Sequence, residues 1–138
     1  MGEESEITLV ERTPTPEEYG RLRASVGWNE VADDGVRAGL SRSLYAVVLE
    51  RDGVAVGCGR VVGDGGVYFY VQDVLVLPEL QGFGWGARIM DAVMRYLEHA
   101  AGPGTFVGLM AAKDVEAFYR RYGFERRPDD RPGMFRVW

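Results

Sequence analysis

A mixed α/β sheet carried by one domain, residues 1–138, is the fold class the sequence predicts. Three observations carry it. Apolar, strand-like runs joined by Asp/Gly turns follow one another between residues 44 and 77. A helical pattern after residue 86 then separates the last of these runs from another strand pattern, which is the signature of a βαβ unit. The length of 138 residues fits one domain, and 46% hydrophobic with 27% charged residues suffices for a core.

The elements read in order as follows. Ile7 and Leu9 alternate with polar neighbours and predict a first strand. Thr15, Pro16 and Glu18 form a capping box with proline at the first helical position, so a helix runs from there to about Val26. A weaker helical pattern spans Glu30 to Gly39. LYAVVLE (44–50), VAVGCGRVV (54–62) and VYFYVQDVLVL (67–77) are three strands. Their turns are Arg51-Asp52-Gly53 and Asp64-Gly65-Gly66, so they form an antiparallel meander. The third is apolar on both faces, which places it centrally. A helix with Ile89, Val93 and Leu97 on one face ends at Gly102-Pro103-Gly104. TFVGLMA (105–111) is a strand, DVEAFYRRYGF (114–124) a helix closed by Gly123, and MFRVW (134–138) a last strand. No repeat, low-complexity segment or linker interrupts the chain.

The net charge of −5 argues against a general nucleic-acid binder. With one cysteine, Cys58, and one histidine, His99, neither an internal disulfide nor the usual zinc sites can form, and no metal is expected. The N-terminal residues lack a basic region followed by an apolar run, and no segment reaches the roughly 18 apolar residues of a membrane span. A cytoplasmic protein is therefore expected, with no membrane partner.

The segment LPELQGFGWGARIM (77–90) holds three glycines, Gly82, Gly84 and Gly86, between a strand and a helix. Gly82-x-Gly84-x-x-Ala87 matches a dinucleotide fingerprint formally, but the acidic residue expected about 20 positions later is missing and antiparallel hairpins precede the loop. A P-loop would need a lysine and a hydroxyl residue after Gly86. What survives is a glycine turn leading into a helix, whose free N–H groups and positive dipole end suit a pyrophosphate. Gln81 and Arg88 are candidate side-chain donors. The competing reading is a tight turn that binds nothing, although three glycines exceed what such a turn needs.

Gln81-x-x-Gly84-x-Gly86 resembles the Q/R-x-x-G-x-G/A motif of the GNAT superfamily of acyl-CoA-dependent N-acyltransferases. AFYRRYGFE (117–125) resembles that superfamily's second recurrent segment at the matching spacing, and the element order agrees along essentially the whole chain. GFE…GMF in the C-terminal half is similar to small bacterial and plastid members of the arylalkylamine-acetyltransferase-like type. The resemblance implies the GNAT fold, a mostly antiparallel sheet with a βαβ unit and a splayed fourth strand. It also implies acetyl-CoA as co-substrate. The pyrophosphate would lie on Gln81, Gly82, Phe83, Gly84, Trp85 and Gly86, with Ala87, Arg88, Asp114 and Tyr119 as further contacts. The pantetheine arm would pair with Leu75, Val76 and Leu77, where a bulge would aim one N–H at the thioester carbonyl.

Acetyl transfer to an amine poses two proton problems. The leaving thiolate gains from an acid, and the resemblance assigns that role to Tyr119, a phenol of pKa about 10, with Tyr122 as substitute. The amine must lose a proton, and Asp73, a lone carboxylate in a long apolar strand, is the candidate base; shaping the site through a loop backbone is its alternative role. Trp28, Tyr45, Phe69 and Tyr70 are candidate walls of an acceptor pocket between the first two helices and the sheet. Arg120, Arg121, Arg126, Arg127, Arg131 and Arg136 make the C-terminal end basic, which reads first as a solvated face. The expected function is transfer of acetyl from acetyl-CoA to a primary amine of a small molecule. A protein amine as acceptor, and a non-catalytic acyl-CoA sensor, are the alternatives. A homodimer is compatible with the sequence.

Overall fold

The computed structural model describes residues 6–138. Five strands form one sheet: β1 (Ile7–Val10), β2 (Tyr45–Arg51), β3 (Val54–Gly63), β4 (Tyr68–Val76) and β5 (Phe106–Leu109), in spatial order 1-2-3-4-5. The first four are antiparallel neighbours, and β5 runs parallel to β4. The tight β2–β3 turn has Asp52 and Gly53 both at positive φ, 53° and 75°, the primed geometry that matches strand twist.

Helix α1 (Pro16–Ser25) carries the expected capping box, with Thr15 and Glu18 bonded reciprocally. Helix α2 (Asp33–Ser41) starts three residues later than expected and has no side-chain cap. Both lie on one face of the sheet, where Leu22 packs with Val48, Ala55, Cys58 and Leu75. Helix α3 (Trp85–Ala100) covers the other face with Ile89, Met90, Val93 and Leu97 over Val47, Leu49, Val61, Phe69 and Val71. Gly59 makes this contact close: a Cβ there would come within 2.5 Å of Ile89 Cγ2.

Two expectations fail at the C-terminal end. The helix predicted over 114–124 shrinks to α4 (Glu116–Arg120), because hydrogen-bonded turns through Gly123 (φ 90°) take over its last residues. The strand predicted over 134–138 does not form. Those residues pair with nothing, and β5 has no neighbour on its outer side among the described residues.

Candidate active site

Strand β4 organises the site through two departures from regularity. The first is a bulge. Arg60 pairs with Gln72 and Cys58 with Leu75, so one residue of β3, Gly59, lies opposite two of β4, Asp73 and Val74. Asp73 sits in the bulge at φ 56°, a left-handed conformation that Asp tolerates better than most residues. Its side chain, 8% exposed, is the acceptor at the centre of a buried cluster. Arg60 Nε and Tyr19 Oη donate to Oδ2 at 2.8 and 2.9 Å, and Arg23 Nη1 donates to Oδ1 at 3.3 Å. Beneath it, Cys58 Sγ donates to the Asp73 carbonyl at 3.3 Å, while burial pushes the Cys58 thiol up to about 12. Arg60 Nη1 also holds Ser43 Oγ (2.7 Å) and the Gly39 carbonyl (3.2 Å), which ties in the end of α2.

Oδ2 accepts two hydrogen bonds and Oδ1 one, so Asp73 is held and not free, a geometry that suits the second of its two expected roles, shaping the site, better than that of base. The cluster ties the bulge of β4 to α1 and β3. Tyr19, Arg23 and Arg60 were not singled out from sequence. The signal for Arg60 was present: a lone cation in the apolar run VAVGCGRVV, with a lone carboxylate in the very next strand, VYFYVQDVLVL.

The second departure is the splay. Pairing between β4 and β5 ends at Val71–Leu109, so β4 continues alone from Gln72 to Val76. Leu77 N–H bonds Val56 O on the β3 side, so alternation turns the N–H and C=O of Val76 towards the splay. Gln81 Nε2 closes on that carbonyl at 3.0 Å. Of Leu75, Val76 and Leu77, Val76 therefore faces the gap with its backbone, and Leu75 is buried in the α1 face.

After a single 3-10 turn at Pro78–Leu80, the chain enters the glycine turn. Gly82 and Gly84 adopt φ 86° and 87°, and a Cβ at either would meet nothing within 4 Å, so conformation and not crowding requires glycine. The first α3 hydrogen bond is Arg88 N–H to Gly84 O. The N–H groups of Gly82, Phe83, Gly84, Trp85, Gly86 and Ala87 thus have no backbone acceptor among the described residues. They are six consecutive donors at the positive end of a 16-residue helix. Arg88 adds an exposed guanidinium that lies 5.7 Å from the Trp85 ring centroid. Gln81 braces the turn: its N–H bonds Pro78 O and its side-chain Nε2 bonds Val76 O, so its backbone donor is not part of the free run.

Helix α4 brings the second motif onto the first. A Cβ on Gly86 would lie 3.6 Å from Phe118 Cζ, and Tyr122 Oη reaches Ala87 O and Asp91 Oδ1 at 3.4 Å. Tyr119 packs edge-on against Phe118 and Phe124 beside Leu109, where β5 ends and the splay begins. Burial raises the Tyr119 phenol above its usual 10.0, which keeps its proton in place at neutral pH. Its hydroxyl has no hydrogen-bond partner among the described residues. Asp114 is exposed at φ 67° in the turn before α4.

A cavity of about 660 Å³ opens between α1, α2 and the loop joining them, lined by Tyr19, Arg23, Trp28, Glu30, Val31 and Val36 among others. Arg23 is shared: it reaches Asp73 inward, bonds Asn29 O and Oδ1 in the loop, and lies 5.4 Å from the ring centroids of both Tyr19 and Trp28. Of the four expected walls, Trp28 is in this cavity. Tyr70 is on the same side of the sheet but exposed near Phe106. Tyr45 and Phe69 are corrections. Strand alternation puts both on the α3 face, where Tyr45 stacks on Tyr96 at 4.8 Å and Phe69 is fully buried.

A bulged and splayed β4, followed by a glycine turn of free N–H groups, is the arrangement expected from the resemblance to acyl-CoA-dependent acyltransferases. The family model described as Acetyltransferase (GNAT) domain matches residues 42–126. The chain is 32% identical to the uncharacterized N-acetyltransferase ycf52 of Porphyra purpurea, over 86% of this chain and 69% of that protein. It is 33% identical to the chloroplastic serotonin N-acetyltransferase 2 of Oryza sativa, over 91% of this chain and 65% of that one. The crystal structure of a probable acetyltransferase from meticillin-resistant Staphylococcus aureus superposes with a TM-score of 0.91 at 30% identity, covering 96% of this chain and 100% of that one. The chain belongs to the GNAT family of acetyltransferases, and it is an N-acetyltransferase.

Proposed function

We propose that the protein transfers the acetyl group of acetyl-CoA to the primary amine of a small arylalkylamine. The observation that carries the donor half is the run of six N–H groups at Gly82–Ala87 without a backbone acceptor, which suits a pyrophosphate. Arg88 would add charge there, and Asp114 lies at the exposed approach. Bound acetyl-CoA supplies the activated thioester. Val76 N–H would pair with its pantetheine arm in the splay. The bulge that Asp73 holds fixes the neighbouring backbone donors before the reaction starts.

In the transfer, the amine nitrogen forms a bond to the thioester carbonyl carbon and the C–S bond breaks. Tyr119 gives its proton to the leaving sulfur and regains one from solvent, which takes up the proton the amine loses. The acceptor half rests on the cavity between α1 and α2. Trp28 and the Tyr19 ring offer aromatic faces, and Glu30, exposed at the rim, suits a cationic amine. The name of the rice relative agrees with an aryl-bearing acceptor. We place the reaction in the cytoplasm, with residues 1–138 acting as one catalytic unit; no described helix is long and apolar enough to cross a membrane.

The test is thiol release from acetyl-CoA across a panel of arylalkylamines, polyamines, amino sugars and lysine peptides. Turnover highest on arylalkylamines is expected. Turnover only on peptides would move the acceptor to a protein amine. Tight acetyl-CoA binding with no turnover on any amine would make the protein a sensor.

A further inference from the structure

The chain carries 16 lysines and arginines, and Lys113 is the only lysine among them. That restriction matters in a protein that acetylates amines. A guanidinium stays protonated and takes no acetyl group, so the arginines leave the surface inert towards an acetyl donor. Lys113 is the one side-chain primary amine.

Its place in the fold is the lip of the splay. β5 runs parallel to β4 in a fixed register, from Tyr68 beside Phe106 to Val71 beside Leu109. Past Leu109 the two chains part. Keeping that register, Lys113 falls level with Leu75 and one step short of Val76, whose N–H and C=O face the gap. Lys113 and Asp114 are the central residues of a turn closed by Val115 N–H to Ala112 O at 3.3 Å, with Asp114 at φ 67°. The turn leads into α4, whose Phe118 lies against Gly86 at the start of α3. The backbone of the lysine is thus held on the wall opposite β4, and Tyr119 follows six residues later.

The side chain is uncommitted. Lys113 is exposed, and among the described residues it makes no ion pair and no hydrogen bond. Glu116, three residues on, is taken by Arg120 at 3.2 Å and by Arg126 at 2.7 Å. A flexible four-carbon stem carries the amine.

We propose that Lys113 is a self-modification site: its amine takes the acetyl group of the acetyl-CoA bound in the chain's own splay. The neutral Nζ forms a bond to the thioester carbonyl carbon and the C–S bond breaks. The sulfur leaves as the CoA thiol with a proton from Tyr119, which regains one from solvent, and solvent takes up the proton that Nζ loses. The product is a neutral amide, so the lip of the splay loses its positive charge. This rests on the donor half of the reading above and not on which amine is the acceptor.

The experiment incubates the full chain with acetyl-CoA and no amine, follows its intact mass and locates any modification by peptide mapping, beside calorimetric titration with CoA. One acetyl group per chain, on Lys113, is expected, at a rate per chain that does not change when the protein is diluted at fixed acetyl-CoA. Lys113→Arg should gain none. Arg37→Lys in that background puts a lysine at an exposed position of α2 and should gain none either. The chain unfolded in urea, with its amines accessible but no splay, should be modified about 10-fold more slowly or less. A chain that binds CoA but gains no acetyl group, a gain at the N-terminal amine or at position 37, a rate that falls in proportion to dilution, or an equal rate in urea would each overturn the proposal and leave the donor site standing. No binding of CoA would overturn both.

Discussion

The two irregular places on either side of the end of β4 are built by opposite means. At the bulge, side chains do everything: one carboxylate, two guanidiniums, a phenol and a thiol converge from α1, β3 and β4. At the glycine turn eleven residues later, side chains do almost nothing, and the useful groups are backbone N–H donors left over by a helix start. The first arrangement is closed and satisfied; the second is open. On the proposed reading the two are complementary: a locked frame beside the reacting bonds, and an unsatisfied surface for the donor.

Substitutions can break this contrast, and the largest effect belongs to the bulge. Asp73→Ala removes the shared acceptor and strands two buried cations, so it should cost about 3–5 kcal/mol of stability. Denaturant unfolding measures this, and an unchanged midpoint would mean that the cluster is not holding the frame. Tyr119→Phe, on the β5 side of the splay, should lower kcat on the order of 100-fold with acetyl-CoA affinity kept. Equal turnover in steady-state assays would remove its assignment as acid. Gly84→Val should instead spare most of the stability and weaken CoA binding by roughly 10- to 100-fold, since a β-branched residue resists φ 87°. Calorimetric titration with CoA separates the cases: a variant that binds normally would show that the free N–H run is not the donor site.

The smallest effect belongs to the start of α1, one residue before Tyr19. Arg12 holds the Glu18 carboxyl at about 2, down from 4.5, in the capping box of α1. A depressed carboxyl stabilises the fold fully above pH 4.5 and loses that contribution as pH falls towards 2. Being partly solvent-screened, the pair should contribute less than about 1 kcal/mol. Wild type should therefore lose slightly more of its Tm than Glu18→Gln does between pH 5 and pH 3, by thermal melts. Parallel melting curves would show the pair to be idle.

What the sequence made legible follows the same contrast. The glycine turn was visible because free backbone donors leave a mark in composition: Gly82, Gly84 and Gly86 stand out in any reading. The capping box at Thr15 and the turn at Asp52-Gly53 were visible for the same local reason. The bulge was not. Asp73 drew attention as an isolated charge, but its role depends on partners 13, 50 and 54 residues away that only the fold brings together. Tyr45 and Phe69 failed because alternation reports that a residue alternates, not which helix pair covers its face. The strand at 134–138 failed because pairing needs an edge, and periodicity does not say whose.

Arg23 has a practical consequence for anyone who would retarget this enzyme. It and Tyr19 are at once wall of the cavity proposed for the acceptor and clamp on Asp73. Half of the pocket is thus not free to vary: a change there to admit a new amine would loosen the frame of the reaction as well. Selectivity should be redesigned from the outer wall, at Glu30, Val31 and Val36, where the side chains have no second employer.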